Sequence, residues 1–537
     1  MKYILLILLS VSFLYAKSKD SCYSVQLSSF VPNKSKVYNF ESLHYPKSCQ
    51  LIEFTNTNAI RCGCFEKYSE VKKELKLLQK SYSQAMQVTT YKYRFKTKVK
   101  TITPELVQEP EPTIEEEPKI KEIPQIQNNS FDFLQDMTFQ GNLDIVGQTY
   151  LKAPLAKNPY NITSSANLEA QYNKNDFKAK VKLKVQGDYD DISTDKQTHR
   201  SFLRIDELYA EYDFEDDQIF FGKNIRFWGA LEVRNITDNF NNDELRGDPF
   251  YKDKLGSWNT SYSHFTDNGE FSIIVKLYEQ AREMSAFPYV YYYFPSTVKT
   301  QIGSVPLLYD NNLISEEGDT RPSVYLKYSA STESDYPIDY SFIYENGYDS
   351  QRYYTQKFNP ASSSLSTQEN AYLVNKFLTY NTMVVNSTLI KLEAVYADVI
   401  NNKDISDYIH LGLGVEHTLT RVYKEADLGL ISEYYSYTTL ENDKRDDLEL
   451  FELFQNDLFL GARYTLNDLQ STTLLGGMIL DLDYDEQVYY LEYETRIADI
   501  IKVNFDYRYI SPSKDSITAF HLMGVHERLS LKLGYYF

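Results

Sequence analysis

Residues 528–537, where the sequence ends, read RLSLKLGYYF. Leu529, Leu531, Leu533, Tyr535 and Phe537 take alternate positions, with Arg528, Ser530, Lys532, Gly534 and Tyr536 between them. Successive side chains of a strand point to opposite faces, so this stretch predicts a strand with one apolar and one polar face. Chain ends usually fray unless something ties them down. An alternation that runs to a final aromatic ring predicts a strand that must stay paired. In a closed barrel the last strand pairs with the first, and no edge is left open.

The same period of two recurs upstream. In IKVNFDYRYI (501–510), Ile501, Val503, Phe505, Tyr507 and Tyr509 share one face, against Lys502, Asn504, Asp506 and Arg508. In YYLEYETRI (489–497), Tyr489, Leu491, Tyr493 and Ile497 oppose Tyr490, Glu492, Glu494 and Arg496. KAKVKLKVQG (178–187) sets Val181, Leu183 and Val185 against Lys180, Lys182 and Lys184. LDLDYDE (480–486) sets Leu480, Leu482 and Tyr484 against Asp481, Asp483 and Asp485. A soluble sandwich would alternate too. Strands of ~10 residues with rings near their ends fit a membrane-spanning barrel better.

Composition points the same way. The chain has 48 Tyr and 30 Phe but two Trp, with a mean hydropathy of −0.47. A wall in which every second residue meets lipid reconciles many rings with a polar average. The net charge of −19 argues against a nucleic-acid partner, which favours a basic surface. It argues equally against a lumen built chiefly for anions.

Turn lengths give an orientation. The segments 173–176, 215–217, 266–269, 334–337 and 421–425 read as tight turns, and 188–200, 232–256, 281–322, 356–370 and 440–452 as long connections. Short turns on one side and long loops on the other are the periplasmic and extracellular ends of an outer-membrane barrel. The expectation for 131–537 is a mainly β, antiparallel barrel of about 18 strands (16–20). Its first strand lies near residues 137–152 and Phe537 on the periplasmic side. The stretch 516–537 reads as one long strand or a hairpin at Val525.

Ahead of the barrel, Lys2, the apolar residues 4–15 and Ala16 read as a secretory signal over 1–16, too short to span a membrane as a helix. Residues 17–98 read as a small α+β periplasmic domain. CYSVQLSSF, AIRCGCF and MQVTTYKYRF alternate as strands. SEVKKELKLLQKSYSQA reads as a helix, with Val71, Leu75, Leu78 and Tyr82 on one face and Ser69 as N-cap. Residues 99–130 are a Pro- and Glu-rich spacer that reaches roughly 90 Å at about 3.1 Å per residue. Cys22, Cys49, Cys62 and Cys64 all lie in the small domain. In an exported chain an even set reads as disulfides, with a four-cysteine zinc site the poorer match. Cys62 and Cys64 share a strand face, so each is expected to pair elsewhere, with the connectivity open.

Three resemblances add to this. YSVQLSSF and IRCGCFEKYSEVKKELKLL resemble the two half-repeats of the SPOR (sporulation-related repeat) domain. Val25, Gln26, Ser29 and Phe30 match the first half, and Arg61, Gly63 and Phe65 the second. Ser28 and Cys64 depart from the usual Gly and Pro. The unit also reads as duplicated, a strand with a sharp stop at Phe30 or Phe65 and then a helix. The resemblance implies peptidoglycan binding on the sheet, through Gln26, Phe30, Arg61 and Tyr91. The terminal Phe537, with Tyr535, resembles the sorting signal read by the barrel assembly machinery of bacterial outer membranes. FFGKNIRFWGALEVRNITDNFNNDELRGD (220–248) weakly resembles a segment of porin-like families that include alginate-export-type barrels, at Gly222, Trp228, Gly229, Asp238 and Asp243.

A barrel of this size leaves a lumen, and charged rings set selectivity in such pores. The pore-lining candidates are Lys180, Lys182, Lys184, Arg463, Glu492, Glu494, Arg496, Lys502, Asp506 and Arg508. The lysine ladder offers a local anion path within a lumen that otherwise leans to cations or neutral solutes. The connection 281–322, holding FPYVYYYFP, is too apolar to wave in water and is the constriction candidate. SHFTDNG (263–269) lacks the serine of a lipid-hydrolase motif and reads as a hairpin turn. No enzyme activity, cofactor or metal is expected. The expected partners are outer-membrane lipid, peptidoglycan, the assembly machinery and small hydrophilic solutes. The rival functions are a cell-wall anchor or surface adhesin with a blocked lumen, and a polysaccharide export port.

Overall fold

The computed structural model describes most of residues 21–95 and 136–537. Residues 1–20 and 96–135 lie outside the described residues, as do shorter stretches such as 31–45, 54–57, 80–85, 194–197 and 445–451. The expected signal (1–16), the spacer (99–130), Tyr82 and a helix directly after Phe30 fall there. The chain divides into two compact units, Met1–Met137 and Thr138–Phe537.

In the first unit, β1 (Ser21–Phe30), β2 (Cys49–Glu53), β3 (Asn58–Phe65) and β4 (Met86–Tyr91) form one antiparallel sheet in the order β2-β3-β1-β4. Helix α1 (Tyr68–Gln79) lays Val71 and Leu78, with Leu75, against Val25, Leu27 and Ile60. Those helix positions recur at three and four residues, the spacing of one buried face. Ser69 sits inside the first turn of α1 and is not its cap. The last strand stops at Tyr91 and passes into a tight 3-10 turn at Lys92–Phe95, short of the expected end at Phe95.

The four cysteines close two disulfides, which removes the zinc alternative. Cys49–Cys62 joins opposed residues of β2 and β3, and Cys22–Cys64 joins β1 to β3. Between them Gly63 takes φ +68°, where β3 slips its register against β1. That left-handed conformation suits glycine. It lets neighbouring cysteines of a C-x-C run reach different strands.

In the second unit, eighteen strands among the described residues close into an antiparallel barrel. The first, Met137–Lys152, pairs with the last, His526–Tyr536: Leu529 faces Thr149, Leu533 faces Ile145 and Tyr535 faces Leu143. Phe537 continues the ladder. Its N–H donates to Gly141 O at 3.0 Å, and Gly141 N–H donates back at 2.9 Å. The two faces separate cleanly: Leu531, Leu533, Tyr535 and Phe537 are exposed outside, whereas Arg528 and Ser530 are buried inside.

Short turns gather at one end of the barrel: 175–176, 215–216, 266–268, 386–387 and 424–425. Asn175, Glu215, Asn386 and Lys424 take the positive φ that such hairpins need. Thr266 N–H donates to Gly269 O at 2.7 Å, so SHFTDNG is a hairpin turn. Long connections gather at the other end, and they hold more structure than expected. The segment 356–370 is no loop: Tyr353–Asn359 and Ser364–Ala371 are strands. With Thr297–Thr300 and Gly303–Ser315 they build a separate four-stranded sheet. Among the described residues, 518–525 are neither strand nor hairpin. They hold a short helix, Ala519–Met523, whose Thr518 hydroxyl accepts from His521 N–H. The strand ending LDLDYDE stops at Asp481, which leaves Asp483 and Asp485 in the turn.

Candidate functional site

The connection 225–256 leaves the strand Asp217–Asn224 and folds into the barrel. Asn241 ties its two stems together, donating to Asn224 O at 3.0 Å and Leu255 O at 2.9 Å. The loop then crosses the interior. Glu393, on the strand Thr388–Ile400, accepts from Ala230 N–H (2.6 Å), Leu231 N–H (2.9 Å), Thr237 N–H (3.0 Å) and the Thr237 hydroxyl (2.9 Å). Glu433, on Ala426–Thr439, accepts from Glu232 N–H (2.7 Å) and Val233 N–H (3.1 Å). The neighbouring Tyr435 hydroxyl accepts from Arg234 N–H at 3.1 Å. Counted along the wall from Asp217–Asn224, these strands are the sixth and the eighth. Nine is the greatest separation that eighteen strands allow. The loop is docked on the far wall.

The wall is shaped to receive it. Gly412 and Gly414 present no side chain where Leu231 packs; a Cβ on Gly412 would lie 2.4 Å from Leu231 Cδ1. Trp228 is buried against Phe240 and Tyr325, with ring centroids 5.4 and 5.5 Å away. Lys254 holds Asp243 at 2.7 Å and Asp238 at 3.5 Å. Burial pushes the Asp243 carboxyl up, but Lys254 and Arg234 outweigh it and hold the pKa at about 2. This pair therefore keeps its charge, and its contribution to stability, until pH falls below the ordinary carboxylate value toward 2.

A second connection enters from Gly269–Lys276. Glu279 is held by Lys276 at 2.8 Å and by Arg352. Arg282 bonds Glu369 at 2.6 Å. Tyr289, Val290, Tyr291 and Tyr292 are buried. The Tyr291 hydroxyl meets His526 Nε2 at 3.0 Å and accepts from Arg528 Nη1 at 2.8 Å. His526–Tyr536 is the seventh strand from Gly269–Lys276 in the other direction round the barrel. Arg528 also pairs with Asp248 of the first connection, at 2.7 Å, and with Asp506. Both inserted segments therefore converge on one buried guanidinium. Of the expected constriction, Tyr289, Val290, Tyr291 and Tyr292 do turn inward. The larger crossing, however, is made by 225–256, and residues 303–315 belong to the separate sheet.

The charged positions singled out in the sequence are largely neutralised. Lys180 lies between Glu169 (3.0 Å) and Glu207 (2.8 Å). Lys182 stands opposite the same two residues in register, and Lys184 bonds Asp253 at 3.1 Å. Arg463 holds Glu232 (2.6 Å) and Glu416 (3.0 Å). Lys502 holds Glu494 at 2.8 Å, and Arg508 holds Asp248 at 3.0 Å with Glu492 at 3.5 Å. Asp506 meets Arg528, and Arg496 is exposed beside Lys502 in register. Lys180 and Lys184 of the lysine ladder are thus ion-paired, and the ladder is not a bare cationic track. In the first unit, Gln26 and Arg61 face each other, with Arg61 Nε donating to Gln26 Oε1 at 3.1 Å. In register Tyr91 stands opposite Ser21 at one end of β1 and Phe30 opposite Asn58 at the other.

Beside the docked loop, among the residues of the long-connection end, lies a cavity of about 460 Å³. Asn235, Asn242 and Lys254 of that loop, Ser350–Tyr354 and Phe454 line it, among others. No local pattern announces this space, because it exists only once 225–256 has crossed the lumen.

No protein-family model matches the chain, and no curated protein does. Among solved structures the chain is similar to barrels. For Acinetobacter baumannii OccAB3 the identity is 10%, over 75% of this chain and 99% of that one, with a TM-score of 0.45. For Pseudomonas putida OprB it is 10%, over 75% and 95%, with a TM-score of 0.39. For Escherichia coli Wzi, described as a carbohydrate-binding β-barrel involved in group 1 capsule assembly, it is 8%, over 74% and 84%, at 0.40. The fold rests on the closed strand pairing of this chain itself.

Proposed function

We propose that residues 131–537 form an outer-membrane channel for small hydrophilic solutes, narrowed by the connections 225–256 and 277–302. The observation that carries this reading is the docking of 225–256 onto Glu393 and Glu433. Eighteen strands enclose more space than side chains of the wall can fill. A loop fixed across that space by its own backbone N–H groups sets the width of whatever passes. Lys180, Lys182, Lys184, Arg463, Glu492, Glu494, Arg496, Lys502, Asp506 and Arg508 then line the route, most of them as paired charges, which favours weak ionic selectivity. Liposomes carrying the purified chain should swell in small neutral solutes and not in large ones. Swelling no faster than in empty liposomes would favour the rival anchor or adhesin with a blocked lumen.

The rest of the chain fits this placement. Residues 1–16 act as the export signal, Tyr535 and Phe537 as the signal for the barrel assembly machinery, and 99–130 as a periplasmic spacer. The unit 17–98 holds peptidoglycan through its sheet, where two disulfides stabilise a small core, each by roughly 2–4 kcal/mol. The full chain should sediment with purified sacculi, and more so after their peptides are stripped. Equal recovery with and without sacculi would leave the unit without this role.

A further inference from the structure

The cavity of about 460 Å³ beside the docked loop has the size of a small-molecule site. We propose that it binds a neutral polyhydroxylated solute, a mono- or short oligosaccharide. This rests on the channel reading above and names the class of solute that would pause there.

Charge gives the first argument. The lining holds four cations, Arg234, Lys254, Arg282 and Arg352, and four carboxylates, Asp238, Asp243, Glu244 and Glu452. Each cation already faces a carboxylate: Arg234 faces Glu452 at 3.7 Å, Lys254 faces Asp243 at 2.7 Å, Arg282 faces Glu369 at 2.6 Å, and Arg352 faces Glu279. An ionic ligand would have to break one of these pairs.

Unspent hydrogen-bonding capacity gives the second. Buried polar groups are normally satisfied. Here Asn235 makes no hydrogen bond through either amide atom, although its side chain is only 7% exposed. Asn242 Oδ1, Thr367 Oγ1 and Arg234 Nε are likewise buried without a hydrogen bond, and all four residues line the cavity. The set contains donors and acceptors together. An anion would ask for donors alone and a cation for acceptors alone. A hydroxyl both donates and accepts, and suits such a set.

Ring faces give the third. Phe294 and Tyr354, 5.1 Å apart, border the same space. Flat rings cover the C–H face of a pyranose while the amides take its hydroxyls.

The test is calorimetric titration of the full chain in detergent with sucrose, maltotriose and raffinose as neutral probes, and glucuronate and arginine as charged ones. Saturable binding of a neutral probe is expected, weakened at least tenfold in Asn235→Leu and in Thr367→Val. Thr367→Val serves alone if the first variant fails to fold. Binding of the charged probes only, no saturable binding of any probe, or neutral binding unchanged in the folded variants would overturn the proposal. The readout needs no conduction. Saccharide binding without liposome swelling would remove the channel and keep the site; swelling without saccharide binding would do the reverse.

Discussion

Glu393→Ala is expected to release the connection 225–256 from the far wall and raise single-channel conductance several-fold. The carboxylate accepts three backbone N–H groups and one hydroxyl from that connection, all between 2.6 and 3.0 Å. Truncation leaves Ala230, Leu231 and Thr237 N–H without an acceptor in a buried place. Each such orphan costs about 1–3 kcal/mol, so the docked state loses several. Glu433 continues to hold Glu232 and Val233, which makes partial release the minimum outcome. Glu393→Gln keeps the shape and one acceptor oxygen and should fall between the two. Planar-bilayer recording reads the effect. A folded Glu393→Ala barrel with unchanged conductance would mean that the loop does not govern the route.

Arg528→Met is expected to be the most destabilising single change in the barrel. Arg528 is 0% exposed and joins the Tyr291 hydroxyl (2.8 Å), Asp248 (2.7 Å) and Asp506. Without it, two buried carboxylates share Arg508 as their remaining paired cation. Breaking a buried pair from one side costs roughly 3–5 kcal/mol, since a charge is left uncompensated. Lys152→Met is the control. Lys152 pairs with Glu527 at 3.0 Å but is 58% exposed, and exposed pairs contribute about 1 kcal/mol or less. Heat-modifiable migration on gels, or urea unfolding in detergent, should show a large shift for Arg528→Met and a small one for Lys152→Met. Equal shifts would contradict the role given to Arg528.

The wall was legible because its signal is local. A period of two survives without any knowledge of partners, so the strand number and the paired terminus at Phe537 follow from reading RLSLKLGYYF and its kin one strand at a time. The inserted loop is the opposite case. Its acceptors stand far away in sequence, Ala230 on Glu393 being 163 positions apart, and no spacing rule links them. One signal was present. Gly412 and Gly414 alternate within LGLGV on the inner face of a strand, and glycine inside a strand often marks a close backbone approach. The ion pairs of Lys180 needed register, because Glu169 and Glu207 sit on the two neighbouring strands. Length misleads at 356–370: a long connection need not be a loop, and Tyr353–Asn359 and Ser364–Ala371 pair residue for residue. Disulfide connectivity likewise waited on register, since it turns on the slip at Gly63.

The crossing of the lumen by 225–256 and its packing on the opposite wall are read by oxidative cross-linking of Leu231→Cys with Gly412→Cys in the intact chain, whose four native cysteines are already paired. Mild oxidant should close the new bond in high yield, seen as a linked peptide by mass spectrometry. A pair that stays reduced, with the Cys at 231 alkylated as fast as an exposed thiol, would contradict the account.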